Sequence, residues 1–225
     1  FGIAWWGHSH IIIAGIAKTY LTSKQSKRIT KAINGFGLPK ADILSCSTWQ
    51  DDVKSQGFYQ MGTWHFRNEP IVNGSGEVTV HADTYDVVSY LKDLIQVQFP
   101  KHQPRDLWAL SFALRSLIHF VGDVHCPVHA ANFYSEDFPT GDKGGSAFPL
   151  NCRWGESCAN IHAMWDSAGF AYPLRDPLRE VHRGELERNI SDLLRDYPAS
   201  GFVDRRVGGR KGRERRKKRW FSATC

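Results

Sequence analysis

The stretch His119-Phe-Val-Gly-Asp123-Val-His125-Cys-Pro-Val-His129 restricts what this chain can fold into more than any other. It crowds three histidines and a carboxylate into one short segment. His119 and Asp123 stand four residues apart at the end of an apolar helical run, so both side chains leave the same helix face. Pro127 breaks that helix, and His129 comes from the turn beyond it. Farther on, Asn160-Ile-His162-Ala-Met-Trp165-Asp166 repeats the His-x-x-x-Asp spacing. One such pair is most often a hydrogen-bonded surface or core pair. Two pairs plus His129 favour metal. Mixed imidazole and carboxylate donors suit zinc, which takes both in near-tetrahedral sites. His125, beside Pro127, fits a packing residue or a ligand's hydrogen-bond partner better than a ligand.

Around these blocks the chain reads as helical. His10–Leu21 is a compact apolar helix carrying Ile11, Ile12, Ala14, Ile16 and Ala17. Ser23 is placed to cap a second helix running to Asn34, which the Gly35-Phe-Gly37-Leu-Pro39 breaker stops. A third spans Lys40–Gln56, and Gly57–Ala82 reads as a long functional loop. Asp83 is placed to cap a helix with Val87, Val88, Leu91, Leu94 and Ile95 on one side, ended at Pro100. Pro104 starts the longest helix, whose apolar residues run from Leu107 and Trp108 to Leu117 and Ile118. Ala131–Cys158 is rich in Gly, Pro, Ser and Asp and reads as irregular. A short helix carries His162 and Asp166, and another spans Gly184–Asp196. Strand patterns are nearly absent, so the predicted class is all-α.

A chain of 225 residues is long enough for one sizeable core. No apolar stretch is read as long enough to cross a bilayer. The net charge of +6 misleads: Arg205–Arg219 holds ten Lys or Arg against one Glu, a local +9 that leaves the rest at −3. The body is mildly acidic, and the charge says nothing of a nucleic-acid surface on it. The basic segment has no hydrophobic periodicity. It is open to reading as a disordered arm for RNA, a nuclear signal, a solvated tail or a gene-prediction artefact. Of the five cysteines, Cys152 and Cys158 bracket a short loop and can pair in an oxidising compartment, while Cys126 is expected to pack as a small apolar residue. Asn73-Gly-Ser75 and Asn189-Ile-Ser191 match the glycosylation pattern.

Three upstream stretches offer further donors: Trp5-Trp6-Gly7-His8-Ser9-His10, Trp49-Gln-Asp51-Asp52-Val-Lys54 and Trp64-His65-Phe66. Taken with the two His-x-x-x-Asp blocks, they resemble the zinc-dependent single-strand-specific nucleases of moulds, plants and protozoan parasites. Bacterial zinc phospholipase C is a structural cousin of that family. The resemblance covers roughly residues 5–166, and its strongest signatures are the His119–His129 and Asn160–Asp166 blocks.

The resemblance implies a multi-helix phospholipase C/nuclease-like domain with long irregular loops around three zinc ions. One zinc would take Asp51, His65, His119 and Asp123. A second would take the free amine and carbonyl of Trp5 with His10 and the shared Asp123. The third would take His129, His162 and Asp166. Lys54 stands where the family has an arginine that stabilises phosphate charge. A lysine supplies the charge without the bidentate fork, and it also reads as a plain solvated helix residue. Phe66 would stack on a base, or is plain core, and Asn68 stands where an aspartate usually hydrogen-bonds the base. Two small departures are Ser9-His10 for Gly-His, and Cys126 for the glutamine before the proline.

The implied function is a zinc-dependent hydrolase cleaving single-stranded DNA and RNA to 5′-phosphate ends, with activity on 3′-nucleotides, monomeric, and secreted or within the secretory and endolysosomal pathway. Asp123 and Lys54 are the expected catalytic residues. Gly2 and Ala4 sit at the −3 and −1 places of a signal-peptidase site, so 1–4 is expected to be a signal-peptide remnant. The nuclease domain is then 5–203, incomplete at its C-terminal end, and 204–225 a basic tail, disordered or non-native. Two other readings stay open. One is a phospholipase C-type phosphodiesterase acting on lipid. The other is an inactive, truncated metal-binding remnant.

Overall fold

Apolar periodicity sets most helices close to where the sequence predicts them. The computed structural model describes residues 5–36, 40–74, 86–98, 106–150, 160–172 and 183–198. These hold α1 (Gly7–Thr19), α2 (Ser23–Ile33), α3 (Trp49–Ser55), α4 (Val87–Gln98), α5 (Leu107–Val124), α6 (Pro127–Ala130), α7 (Ile161–Asp166) and α8 (Arg183–Asp196). Short 3-10 turns cover Asn34–Phe36, Ser45–Thr48 and Tyr59–His65. The class is all-α. The residues proposed to form the signal remnant, the Asp83 cap, the Pro104 helix start, the Cys152–Cys158 pair and the basic tail lie outside the described residues.

α5 is the axis of the domain. Ala14, Ile33, Ile43, Cys46, Leu110 and Leu114 pack on one side of it. Leu91 of α4 meets Ala113 and Phe120 on another, with Val87, Val88, Leu94 and Ile95 packed against them. α1 and α8 close a third cluster around Ile11, Ile12, Leu44, Leu186 and Ile190. Burying side chains such as Ile11, Ile33 and Phe120 stabilises the fold by about 1.5–3 kcal/mol each. By length and composition α5 is the one described helix apolar enough to span a membrane, contrary to expectation. It instead carries buried Arg115, His119 and Asp123 and serves as the core helix.

Several local expectations change. α2 is capped by Thr22, not Ser23: Thr22 accepts from the Gln25 amide while the Gln25 side chain takes the Thr22 N–H, a reciprocal capping box. α5 is capped by Asp106, whose carboxylate accepts from the Ala109 N–H at 2.9 Å. The single helix expected over Lys40–Gln56 is broken. Asp42 and Ser45 exchange hydrogen bonds at 2.9 Å and turn the chain, so only Trp49–Ser55 is α-helical. Within the expected loops lie β1 (Glu69–Val72) and β2 (Ala131–Tyr134), a short parallel pair in the register Glu69 to Ala131 and Val72 to Tyr134. Leu107 and Trp108, expected to be apolar face, are more than half exposed, and Trp108 stacks on Phe112.

Candidate metal centre

α5 delivers two of the site's side chains from its last turns. His119 and Asp123, four residues apart, are 0% and 1% exposed, with Nε2 to Oδ2 at 3.2 Å. Gly122 lets α1 come close: a Cβ there would sit 3.0 Å from His10 Nδ1. His10, from the first turn of α1, stacks on His119 with ring centroids 4.0 Å apart. His65 ends its 3-10 turn against the same carboxylate. Asp123 thus turns its two oxygens to different histidines: Oδ1 lies 3.2 Å from His10 Nε2, and Oδ2 lies 2.9 Å from His65 Nδ1. Asp51, from the first turn of α3, lies 3.9 Å from both His65 Nδ1 and His119 Nε2.

A second group forms where α6 meets α7. Asp166 Oδ2 lies 3.2 Å from His162 Nε2, and Oδ1 lies 3.5 Å from His129 Nε2. The backbone aims these rings. His119 Nδ1–H donates to the Ser47 carbonyl at 2.6 Å, His129 Nδ1–H to the His65 carbonyl at 2.9 Å, and His162 Nδ1–H to the Gly144 carbonyl at 2.8 Å. A carbonyl can only accept, so in all three rings Nδ1 carries a proton and Nε2 is the atom turned inward, with a lone pair to offer whenever the ring is neutral. That is how metal-bound histidines are held. His125 makes the same kind of bond to the Val121 carbonyl but is exposed, in line with its reading as a non-ligand.

The buried atoms test whether metal fits. His10 Nε2 and Asp123 Oδ1 approach to 3.2 Å yet form no hydrogen bond, and neither finds another partner. The same holds for His129 Nε2 and Asp166 Oδ1. Buried polar atoms are rarely left unsatisfied, and each costs about 1–3 kcal/mol. Pairs of orphaned lone-pair atoms aimed at a common space are what a shared cation would satisfy. Three sets of ligand atoms fall within 4.8 Å of one another: His10, Asp51 and His119; His65, His119 and Asp123; and Cys126, His129 and Asp166.

Electrostatics divides the cluster. Burial pulls His65 down to about 4, against the pull of Asp123. Burial also acts on His119, but the Asp123 and Asp51 carboxylates outweigh it and hold that ring up at about 9. Burial opposes ionisation of Asp123, yet His119, His10 and His65 keep its carboxyl well below the ordinary range. Burial and then the Asp166 carboxylate push the Cys126 thiol far above its usual value.

The other anticipated residues fall around this core. Trp5 is half-buried, and its indole N–H donates to the Gly122 carbonyl at 2.8 Å, so the N-terminal segment lies on the end of α5. Trp6 N–H donates to the Asp166 carbonyl, tying that segment to α7 as well. Lys54 Nζ lies 3.0 Å from Asp51 Oδ1. Phe66 stacks on His129, and Asn68 sits beyond it with a left-handed φ of 54°. Two features escaped the sequence reading: Asp51 lies within reach of His10, and Cys126 lies beside His129 and Asp166 in the second group. A cysteine next to a ligand block was the signal for the latter.

A helical domain with buried histidines converging on shared carboxylates is the frame of a metal-binding centre. The chain belongs to the S1/P1 nuclease family, whose model matches residues 5–217. That match runs beyond Asp166, where the sequence resemblance was placed to end, and takes in part of the basic segment. The chain is 27% identical to Endonuclease 2 of Arabidopsis thaliana over 175 residues, covering 72% of this chain and 55% of the relative. It is 25% identical to Endonuclease 1 of the same plant over 206 residues, covering 85% of this chain and 63% of the relative. The chain thus spans a little over half the length of these relatives. The family is metal-dependent, in keeping with the orphaned ligand atoms.

Proposed function

We propose that this chain is a zinc-dependent endonuclease that hydrolyses single-stranded DNA and RNA to 5′-phosphate products, and that it also removes phosphate from 3′-nucleotides. The observation that carries this reading is the geometry of Asp123. Its two oxygens face separate histidines, one of them across a gap with no hydrogen bond. A carboxylate so placed suits bridging two cations.

Three zinc ions fit the donor set. Asp51, His65, His119 and Asp123 would hold the first, and the Trp5 amine and carbonyl with His10 and Asp123 the second, once residues 1–4 are removed. His129, His162 and Asp166 would hold the third. Bound zinc supplies Lewis acidity and brings the pKa of a coordinated water to about 7. The chain's own groups do the rest. Lys54, held at 3.0 Å by Asp51, keeps a positive charge beside the place where phosphate would sit. Phe66 borders a cleft lined also by Trp64, Arg67, Asp86 and Val87, and offers a ring for a base to stack on, with Asn68 available to hydrogen-bond its edge. A base that must stack while its phosphate reaches the metals has to leave a duplex, which accounts for single-strand preference.

Secretion, monomeric state, a Cys152–Cys158 disulfide and glycosylation belong to the same reading. Asn73 is the better acceptor, being exposed at the end of β1. Asn189 lies within α8, its amide 3.5 Å from His8.

The test is metal analysis of the purified chain combined with cleavage of matched single-stranded and duplex oligonucleotides. Three zincs, faster single-strand cleavage, loss of activity in chelator and recovery with zinc are expected. Full activity in excess chelator would sink the metal mechanism. Hydrolysis of a phospholipid with no nucleic-acid cleavage would favour the phospholipase C-type alternative. Bound zinc with no turnover on either substrate would mark an inactive remnant.

A further inference from the structure

We propose that Cys126 is a fourth protein ligand of the metal held by His129, His162 and Asp166, making that site a sulfur-bearing, closed one. The inference rests on the three-metal reading above and concerns one residue that reading does not use.

The sulfur is in the right place. Cys126, His129 and Asp166 are 0%, 0% and 1% exposed. One ligand atom from each lies within 4.8 Å of the other two. Zinc binds sulfur at about 2.3 Å and imidazole nitrogen at about 2.0 Å, so two ligands of one tetrahedral ion stand about 3.5 Å apart, and the three atoms have up to about 1.3 Å to close on binding. His162 Nε2, 3.2 Å from Asp166 Oδ2, stands outside that group of three and has to turn in with them.

The site points to a ion independently of the thiol. His129 Nε2 and Asp166 Oδ1 are fully buried, 3.5 Å apart, and neither has a hydrogen-bond partner. The Nδ1 proton of His129 is already committed to the His65 carbonyl, so its inward nitrogen can only accept. Two acceptors facing each other across 3.5 Å call for a cation between them.

The bland alternative is that Cys126 fills space. Its surroundings argue against that. Cys46, the other buried cysteine described, joins an apolar cluster with Ala14, Ile33 and Leu110. Cys126 joins none of the apolar clusters among the described residues. It stands instead at the junction of α5 and α6. Its N–H donates to the Asp123 carbonyl at 2.8 Å, and its carbonyl accepts from the His129 and Ala130 amides at 3.0 Å. The backbone that holds Cys126 is thus the backbone that carries two ligand residues.

A sulfur completes a tetrahedron that two imidazoles and one carboxylate leave open. Structural zinc sites are closed in this way, whereas catalytic ones keep a position for water or substrate. On binding, the thiol gives its proton to solvent and ligates as thiolate. The third metal is then held more tightly than the other two and acts as a fixed charge and anchor for α6 and α7. It takes a phosphate oxygen only by expanding its coordination.

The test uses the full chain, stripped of metal and reloaded with cobalt(II), which reports thiolate ligation as a sulfur-to-metal charge-transfer band in the near ultraviolet. The band is expected in the natural chain and in Cys46→Ala, Cys152→Ser and Cys158→Ser, and lost in Cys126→Ser. Chelator should leave one zinc behind in the natural chain. In Cys126→Ser that zinc should be lost at least about tenfold more readily, the lower end of what outer-shell partners alone contribute. Three bound cobalt ions without a sulfur band, or a band that survives Cys126→Ser, overturns the proposal while leaving the three-metal reading intact. A chain that binds no divalent metal overturns both. If Cys126→Ser does not fold, zinc X-ray absorption decides on a chain carrying Cys46→Ala, Cys152→Ser, Cys158→Ser and Cys225→Ser. A sulfur neighbour at about 2.3 Å supports the proposal, and nitrogen and oxygen neighbours alone refute it.

Discussion

Phe66 lies flat on the imidazole of His129, with ring centroids 4.5 Å apart and planes 7° from parallel. One face of the phenyl ring therefore rests on a proposed ligand, and on the proposed function a base would stack on the opposite face. Phe66→Leu keeps an apolar side chain and gives up both stacks. Base–aromatic stacking is worth about 1–3 kcal/mol, so kcat/KM on a single-stranded oligonucleotide should fall roughly 5- to 150-fold. Phe66→Tyr should retain most of it. An unchanged kcat/KM in Phe66→Leu would mean that the ring serves only to hold His129.

Asp123→Asn should be the most damaging single change in the centre. Its carboxylate faces His10 with one oxygen and His65 and His119 with the other. Metal analysis after gel filtration should show loss at two sites, against loss at one in His162→Ala. Retention of three zincs and a near-normal rate in Asp123→Asn would show that no carboxylate is shared there.

Lys54 is within 3.0 Å of Asp51, so its charge can act on whatever Asp51 faces. Removing a positioned charge that acts on a transition state costs about 10²–10³ in kcat. Lys54→Ala should show a loss of that order with zinc content intact, and Lys54→Arg should equal or exceed the natural rate. A falling zinc content in Lys54→Ala with kcat per bound metal unchanged would assign Lys54 to holding Asp51 instead.

Gly144 has a φ of 59°, and a Cβ on it would overlap the Val128 carbonyl oxygen. Its own carbonyl orients His162. The left-handed conformation alone costs a side chain about 1–2 kcal/mol. Gly144→Ala should therefore unfold at lower temperature and lose one metal, whereas Gly74→Ala, with φ 105° and nothing within 4 Å of its Cβ, should show a stability loss alone. Full zinc content in Gly144→Ala would mean that His162 finds its orientation elsewhere.

Metal loading should release a proton. In the metal-free protein His119 titrates at about 9 and His65 at about 4. Between those values His65 is already neutral, whereas His119 carries a proton that a metal must displace. The first site's apparent zinc affinity should thus rise about tenfold per pH unit across this window and level off above pH 9. Calorimetry in buffers of different ionisation enthalpy counts the protons. No release near neutrality would show that His119 is not a ligand or is already neutral.

The sequence pattern carried the helices wherever local periodicity and burial agree. Leu91, Leu94 and Ile95 read correctly as one face of α4, and Leu110 and Leu114 as the buried side of α5. His119 and Asp123 were legible because a spacing of four is a property of the helix itself. The Thr22–Gln25 capping box lies in the sequence, but Ser23 beside it is an equally good cap by residue type. The break at Asp42–Ser45 is a side-chain turn that competes with the helix without disturbing its hydrophobic pattern. β1 was beyond local reading, since Glu69-Pro-Ile-Val is exposed throughout and exists only because residues 131–134 pair with it. The aiming of the histidines was also invisible. Ser47, His65 and Gly144 act through backbone carbonyls, and any residue type has one.

His129 borrows its orientation from the carbonyl of His65 and lends its own carbonyl to the Arg67 amide, at 2.9 and 2.8 Å. Two donor groups that lie far apart in the chain are therefore wired to each other through main-chain atoms. A shift of the main chain at residue 65 would therefore be felt at the ring of His129, and if both histidines hold metal, as proposed, the two positions communicate through the backbone and not only through the ions.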